Sequence, residues 1–299
     1  MKRVAFVIYR QWAYEIFKSV LAYEKENAGF EVSLLITSPK AEFDLEEAKH
    51  FRNLAIIDHE NDTETIDALL SKSNVEVVCY YSWSWLVREP ILTKYICLCL
   101  HPSPLPKFRG GSPIQNQIIA GVRDSALSHF RMKAGIDDGD IHMQLPMSLD
   151  GNVEDIFERM GSCGAAISRK FIAEYVMGEA VFTPQSGLSD NPPLKRRKPE
   201  QSEIKLVDAS LTKFIQINNM VRSLRDPYPN AYVSLPAGRL LIQGVCYLPE
   251  RPREGIILND VPLWSIGHPD GTLCLALADG YAQITECAFA SNERSILKT

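Results

Sequence analysis

His101 ends an apolar run and opens an unusually stiff segment. "LCLHPSPLPKFRGGSPIQNQ", Leu98 to Gln117, carries one histidine, four prolines and two adjacent glycines. The prolines fix φ and remove backbone donors, so the loop after His101 can hold an imidazole in place. Such an imidazole suits general-base work or stabilisation of a developing oxyanion. The "RGG" run lets the backbone turn sharply or approach a ligand, and Ser112 with Pro113 reads as the N-cap and first residue of a helix. Downstream, "AGIDDGDIHM" sets Asp137, Asp138 and Asp140 around Gly139 in a tight turn between apolar stretches. A carboxylate from that turn, brought to His101, would orient the ring and set its charge state; an ordinary acidic turn is the alternative.

The position two before the histidine is Cys99. Period-two alternation puts Cys97, Cys99 and His101 on one side of a strand. "C-x-C-x-H" has zinc-compatible ligand types. Alternate side chains on an extended strand lie ~6.5 Å apart, too far to close readily around one ion, so no metal is expected.

The elements that must position these groups alternate in type. "VAFVIY" (4–9), "VSLLIT" (32–37), "LAIID" (54–58), "VEVVCYYS" (75–82) and "YICLCLH" (95–101) read as strands. Amphipathic stretches separate them, among them "WAYEIFKSVLAYEK" and "DTETIDALLSK", the latter with an Asp62 cap and Glu64 in its first turn. A long helix over 150–178 follows. This is the βαβ pattern of an α/β domain, a Rossmann-like mostly parallel sheet with helices on both faces. His101 then falls at the carboxyl end of a strand, where such sheets bind ligands. No G-x-G-x-x-G follows the first strand, so a dinucleotide cofactor loses its main support.

The expected organisation is a catalytic domain over 1–182, a linker over 183–205 and a small, mainly β C-terminal domain over 206–299. The linker "TPQSGLSDNPPLKRRKPEQSE" is rich in Pro, Ser and charge; its "KRRK" reads as a solvated basic stretch rather than a phosphate site. "SLTKFIQINNMVRSL" reads as an amphipathic helix, followed by short strands with Gly and Pro turns.

Composition bounds the partners. The 299 residues are 45% apolar and 23% charged, with a formal charge of −5, and no global charge favours nucleic acid. No apolar run is long enough to span a membrane and no signal peptide is evident, so a cytoplasmic protein is expected. Seven cysteines in no regular framework read as reduced thiols.

"HPSPLPKFRGGSPIQNQIIAG" followed by "GIDDGDI" resembles the signature of the 10-formyltetrahydrofolate-dependent formyltransferases. "RRKPEQSEI" and "INNMVRSLRDPYPNAYVSLPAGRLLI" resemble the linker and C-terminal domain shared by methionyl-tRNA formyltransferases and sugar N-formyltransferases. The resemblance implies a formyl-folate-binding domain with a catalytic Asn-x-His pair and a distant Asp. A substrate amine attacks the formyl carbon, and His and Asn stabilise the tetrahedral oxyanion while the amine loses a proton. His101 matches the family histidine and Asp137 the family aspartate. The folate contacts implied are Trp85, Leu86 and Val87 in "SWSWLVREPIL", with Ile136, Asp138, Gly139 and Asp140. Cys99 stands where the family has its catalytic asparagine and cannot supply an amide N–H. The reading adopted is an active enzyme in which Cys99 fills space and other donors serve the oxyanion, with Asn116 or Gln117 as candidates. A catalytically impaired binding module is the alternative.

Two acceptors compete within the resemblance. Methionyl-tRNA formyltransferases carry a basic, glycine-rich loop after the second strand, whereas "TSPKAEFDLEEAKHF" here is short and acidic and would repel a phosphate backbone. "CYYSWSW" and "FVIYRQWAYEIF" are more similar to the sugar N-formyltransferases. The expected acceptor is therefore a nucleotide-linked amino sugar of surface-polysaccharide (O-antigen, lipopolysaccharide) synthesis, with methionyl-tRNA as the alternative. Arg10, Lys107 and Arg109 are the candidate substrate contacts. Relatives also suggest a homodimer through the C-terminal domain.

Overall fold

The computed structural model describes residues 1–60, 62–236, 238–260 and 272–291, so the end of the expected C-terminal domain lies outside the described residues. Two compact units form. One comprises Met1–Pro113, Asp124–Ser148 and Phe157–Lys195, and the other Ile114–Arg123, Leu149–Ile156 and Arg196–Thr299.

The first unit is built on β1 (Lys2–Val7), α1 (Gln11–Glu26), β2 (Phe30–Thr37), α2 (Leu45–Ala48), β3 (Leu54–Ile56), α3 (Thr63–Lys72), β4 (Val77–Tyr80), α4 (Ile91–Lys94) and β5 (Ile96–His101). After α5 (Pro113–Ile119), β6 (Asp124–Arg131) and β7 (Ile141–Ser148) complete a seven-stranded sheet in the order β3-β2-β1-β4-β5-β6-β7. The first five strands are parallel and the last two antiparallel. The fold is thus α/β, with a parallel-rich sheet flanked by helices. The strands expected from the sequence are present with shifted ends: β1 starts and stops two residues earlier, β2 starts two residues earlier, and β3, β4 and β5 are shorter, so Tyr9 and Ser82 lie beyond the carboxyl ends of β1 and β4. Pro146 sits in β7, an edge strand, where a missing N–H costs little.

Both faces of the sheet are covered, which explains the near-continuous apolar strands. On one face Ala5, Val7, Leu34, Ile36, Val78, Tyr80 and Cys97 pack against Ile66 and Leu70 of α3 and Ile91 of α4. Asp62 caps α3 as expected, its carboxylate accepting the Thr65 N–H at 2.9 Å. On the other face Phe6 meets Phe17 of α1 and Tyr81 edge to face, at 5.5 and 5.8 Å between ring centres. α6 (Val153–Met177) matches the long helix expected after β7. Each such buried side chain contributes about 1.5–3 kcal/mol relative to exposure.

A polar chain runs through that second face. Tyr81 Oη lies 3.1 Å from His129 Nε2, His129 Nδ1 lies 3.0 Å from His142 Nδ1, and His142 Nε2 lies 2.7 Å from Glu174. His129 is fully buried, and desolvation, reinforced by His142, holds its pKa well below the ordinary 6.5. The unfolded chain therefore takes up a proton as pH falls through about 6.5 while the native chain does not, so this contribution is complete above that pH and lost below it. Urea unfolding is expected to show on the order of 1 kcal/mol less stability at pH 5.5 than at pH 7.5 from this group alone. His129→Gln is expected to lose that share of the pH dependence, and an unchanged difference between the two pH values would refute it.

The second unit contains α7 (Leu206–Ala209), α8 (Phe214–Ser223), β8 (Ala231–Leu235), β9 (Gly238–Leu248), β10 (Ile256–Ile257), β11 (Leu273–Leu277) and β12 (Gly280–Ser291). Its five-stranded sheet runs β10-β11-β12-β9-β8. Ile217 and Val221 of α8, one turn apart, join Leu224 against Val233, Leu240, Ile242 and Leu275, so the helical spacing read from "FIQINNMVRS" is the spacing that builds this core.

Candidate functional site

β1 has β2 on one side and β4 on the other, so the strand order reverses there, and the loops leaving the carboxyl ends of β1, β4 and β5 are where such sheets place ligands. His101, the last residue of β5, is buried at 6% exposure. Its Nδ1 lies 3.4 Å from Asp137 Oδ2, and its Nε2 lies 3.0 Å from the Phe108 carbonyl oxygen. Both neighbours are hydrogen-bond acceptors, so whichever ring nitrogen carries the proton has a partner. The same Oδ2 of Asp137 accepts the Gly110 N–H at 2.8 Å. Structure therefore brings together the histidine and the first aspartate that the sequence had offered as partners.

The proline loop is braced rather than free. Ser128 of β6 donates to the Ser103 carbonyl and accepts from the Leu105 N–H. Gln144 of β7 donates to Leu105 O and to Ser128 Oγ at 3.0 and 2.8 Å. Ser103 Oγ donates to Lys107 O at 2.7 Å. Ser128 and Gln144 escaped sequence reasoning because a polar residue in an antiparallel strand is usually a solvated one.

Gly110 has φ of +96°, and a Cβ there would lie 2.4 Å from Leu194 O. A Cβ on Gly139 would lie 1.7 Å from Arg131 O. Both loops therefore need glycine for close backbone approach.

Cys99 shares its side of β5 with Cys97 and His101, as alternation requires. Its sulfur donates weakly to Leu100 O at 3.7 Å, and Cys97 turns to Ile91 O at 3.7 Å. Burial above all, with the Asp137 charge beside it, pushes the Cys99 thiol well above the ordinary range. It is a neutral thiol in a desolvated setting, with no amide donor and no thiolate nucleophile. In the native protein, a thiol reagent at pH 7.5 is expected to label exposed Cys246 and Cys287 first, while half-buried Cys99 reacts slowly and buried Cys79 and Cys97 react only after unfolding. Rapid modification of Cys99, read by peptide mass, would contradict this. Among the described residues, no group of three or more His, Cys, Asp or Glu side chains is arranged to hold a metal ion.

The remaining candidates divide. In the loop after β4, Trp85 is half-buried and Leu86, at 62%, exposed, whereas Val87 turns into the core. Ile136 is 53% exposed. Asp138 Oδ1 is buried with no hydrogen-bond partner in the protein, and Asp140 pairs with Lys133 at 2.7 Å. Lys107 is exposed. Arg109, expected to meet substrate, is engaged by the protein itself: Nη1 donates to Ile136 O, Nε to Asn191 O and Nη2 to Leu188 O. Arg10 pairs with Glu42 at 3.1 Å and donates from Nε to Tyr9 Oη at 3.1 Å. Tyr9, Trp83 and Trp85 form an aromatic cluster beside it, with centres 4.8–6.3 Å apart. Asn116 and Gln117 lie on α5, with Gln117 fully buried.

Fold and site together define a doubly wound α/β protein with a histidine–aspartate pair at the carboxyl edge of its sheet. The Formyl transferase family model (Formyl_trans_N) matches residues 2–163, more than half of the 299. The chain belongs to the formyl transferase family. It is 29% identical over 170 residues to a methionyl-tRNA formyltransferase of Rickettsia africae (strain ESF-5), a match covering 56% of this chain and 54% of that protein. The chain thus spans about half the length of the curated relatives it matches. A methionyl-tRNA formyltransferase structure from Clostridium thermocellum superposes with a TM-score of 0.61 at 26% identity, covering 82% of this chain and 93% of that one. A sugar N-formyltransferase from Shewanella sp. FDAARGOS_354 shares the fold, with a TM-score of 0.59 at 15% identity over 79% of this chain and 94% of that one.

Proposed function

We propose that this protein transfers a formyl group from 10-formyltetrahydrofolate to the amino group of a nucleotide-linked amino sugar. The observation that carries the chemistry is His101 held between Asp137 Oδ2 and the Phe108 carbonyl at the carboxyl edge of β5. A ring so placed can exchange the Phe108 carbonyl for the reacting group, take the amine's proton and face the developing oxyanion, while Asp137 holds Nδ1. Residues that would receive the folate fit its chemistry. Trp85, Leu86 and Ile136 offer flat or apolar contact to a ring, and the buried, unpartnered Asp138 Oδ1 is an acceptor for its N–H edge.

The choice of a sugar nucleotide rests on the loops after β1 and β2. Glu42, Asp44, Glu46 and Glu47 stand against Lys40, Lys49 and Arg52 between β2 and β3, and Arg52 is paired with Glu31, a poor surface for a phosphate backbone. The Tyr9, Trp83 and Trp85 rings with Arg10 suit a base and a diphosphate. Methionyl-tRNA is the second reading, favoured by the names of the relatives at 26% and 29% identity. Formyl transfer assayed on dTDP-, UDP- and GDP-linked amino sugars beside methionyl-tRNA decides between them. Turnover of at least one sugar nucleotide is expected. Methionyl-tRNA as the only accepted substrate would overturn the sugar reading, and folate binding without turnover of any acceptor would favour a binding module.

A further inference from the structure

Asp137 adopts a left-handed backbone conformation, φ +48°, which a non-glycine residue takes up rarely and at a cost. Something must hold it there. The Gln185 side-chain amide donates from Nε2 to the Asp137 carbonyl at 2.9 Å and to the Gly139 carbonyl at 2.8 Å. Both hydrogens of one amide nitrogen are thus spent on the turn that aims the Asp137 carboxylate.

The chain that follows Gln185 fastens to the other side of the site. Arg109 donates to Leu188 O and Asn191 O, and from Nη1 to Ile136 O at 3.1 Å. Leu194 N donates to Arg109 O and Gly111 N to Leu194 O, each at 2.8 Å. Residues 185–194 therefore grip the aspartate turn through Gln185 and the histidine loop through 109–111. Gln185 is half-buried, although Thr183, Pro184, Ser186 and Gly187 around it are exposed. A solvated linker has no reason to turn in a single glutamine.

We infer that Gln185 is a positioning residue of the His101–Asp137 pair, and that residues 185–194 are a strap holding the two loops in register. The inference rests on the reading of that pair as catalytic. Without the two donors the Asp137 and Gly139 carbonyls must turn to water, the left-handed turn relaxes, and Oδ2 leaves His101 Nδ1. A displacement of ~1 Å at such a group costs on the order of 100-fold in rate.

Six histidines give a sparse ring spectrum in the ¹⁵N-histidine-labelled full chain, with His101 assigned by His101→Gln. Gln185→Met keeps the length and loses the donors; Gln185→Glu keeps the shape and presents acceptors to two carbonyls. Both are expected to move the His101 ring signals toward those of Asp137→Asn. Adding Gln185→Met to Asp137→Asn is expected to move them no further. In turnover with an accepted amine, kcat is expected to fall about 10- to 100-fold with KM unchanged. His101 signals identical to wild type in both variants, or shifts that add to those of Asp137→Asn, would overturn the inference. Loss of folding in both variants would equally overturn it, by making Gln185 a structural residue. The ring signals need no substrate, so an inactive wild-type chain would refute the proposed function without touching this result.

Discussion

His101→Ala is expected to lower kcat for formyl transfer by about 10³- to 10⁴-fold, at the upper end of what a positioned acid–base group contributes, while folate binding survives. The ring is 6% exposed and sits between an aspartate and a carbonyl, and a water admitted in its place would lack the basicity of the imidazole. The loop that holds it is braced from Ser128 and Gln144, not from the ring alone, so alanine removes the proton acceptor and leaves the backbone frame in place. Single-turnover rates with a saturating acceptor, beside equilibrium binding of the folate, separate the two effects. Activity within tenfold of wild type would remove His101 from the mechanism.

Asp137→Asn is the second large effect. The substitution keeps size and shape but replaces one carboxylate oxygen with an NH2 group. Oδ2 now accepts the Gly110 N–H at 2.8 Å and faces His101 Nδ1 at 3.4 Å. An asparagine whose oxygen keeps Gly110 also keeps that oxygen at Nδ1, so the ring retains its acceptor but loses the negative charge that stabilises it as it takes the amine's proton. In hydrolases where an aspartate orients a histidine, the same replacement costs about 10⁴-fold in kcat. The longer 3.4 Å separation here points to a loss of about 10³-fold, read as kcat with KM little changed. A loss confined to KM would place Asp137 among binding groups instead.

Cys99 behaves differently from both. Its thiol is neutral and its weak donor is directed at Leu100 O, so it supplies neither the amide N–H of the family asparagine nor a nucleophile. The oxyanion donors proposed for this chain are therefore His101 and other groups, with Asn116 or Gln117 of α5 as the candidates the sequence offers.

Much of this was legible locally. The parallel strands show as β-branched apolar runs because both faces of the sheet are buried, and the Asp62 cap, the Ser112-Pro113 helix start and the α8 stripe are signals within a few residues. His101 at a strand end, followed by prolines and glycines, and the acidic turn around Gly139 are local as well, whereas the choice of Asp137 among the three carboxylates of that turn rests on the family resemblance.

What the sequence left open depends on contacts between distant segments. Arg109 looks like a free cation for substrate, yet its guanidinium is spent on carbonyls at 136, 188 and 191. Gln185 lies in a run whose composition reads as linker, and its two hydrogen bonds go to a turn 46 and 48 residues away. The Tyr81–His129–His142–Glu174 chain likewise joins β6, β7, α6 and the loop after β4. Hydrophobic burial repeats with the period of helix or strand and so leaves a pattern along the chain; a single polar contact has no period, and only the tertiary structure decides which donor meets which acceptor.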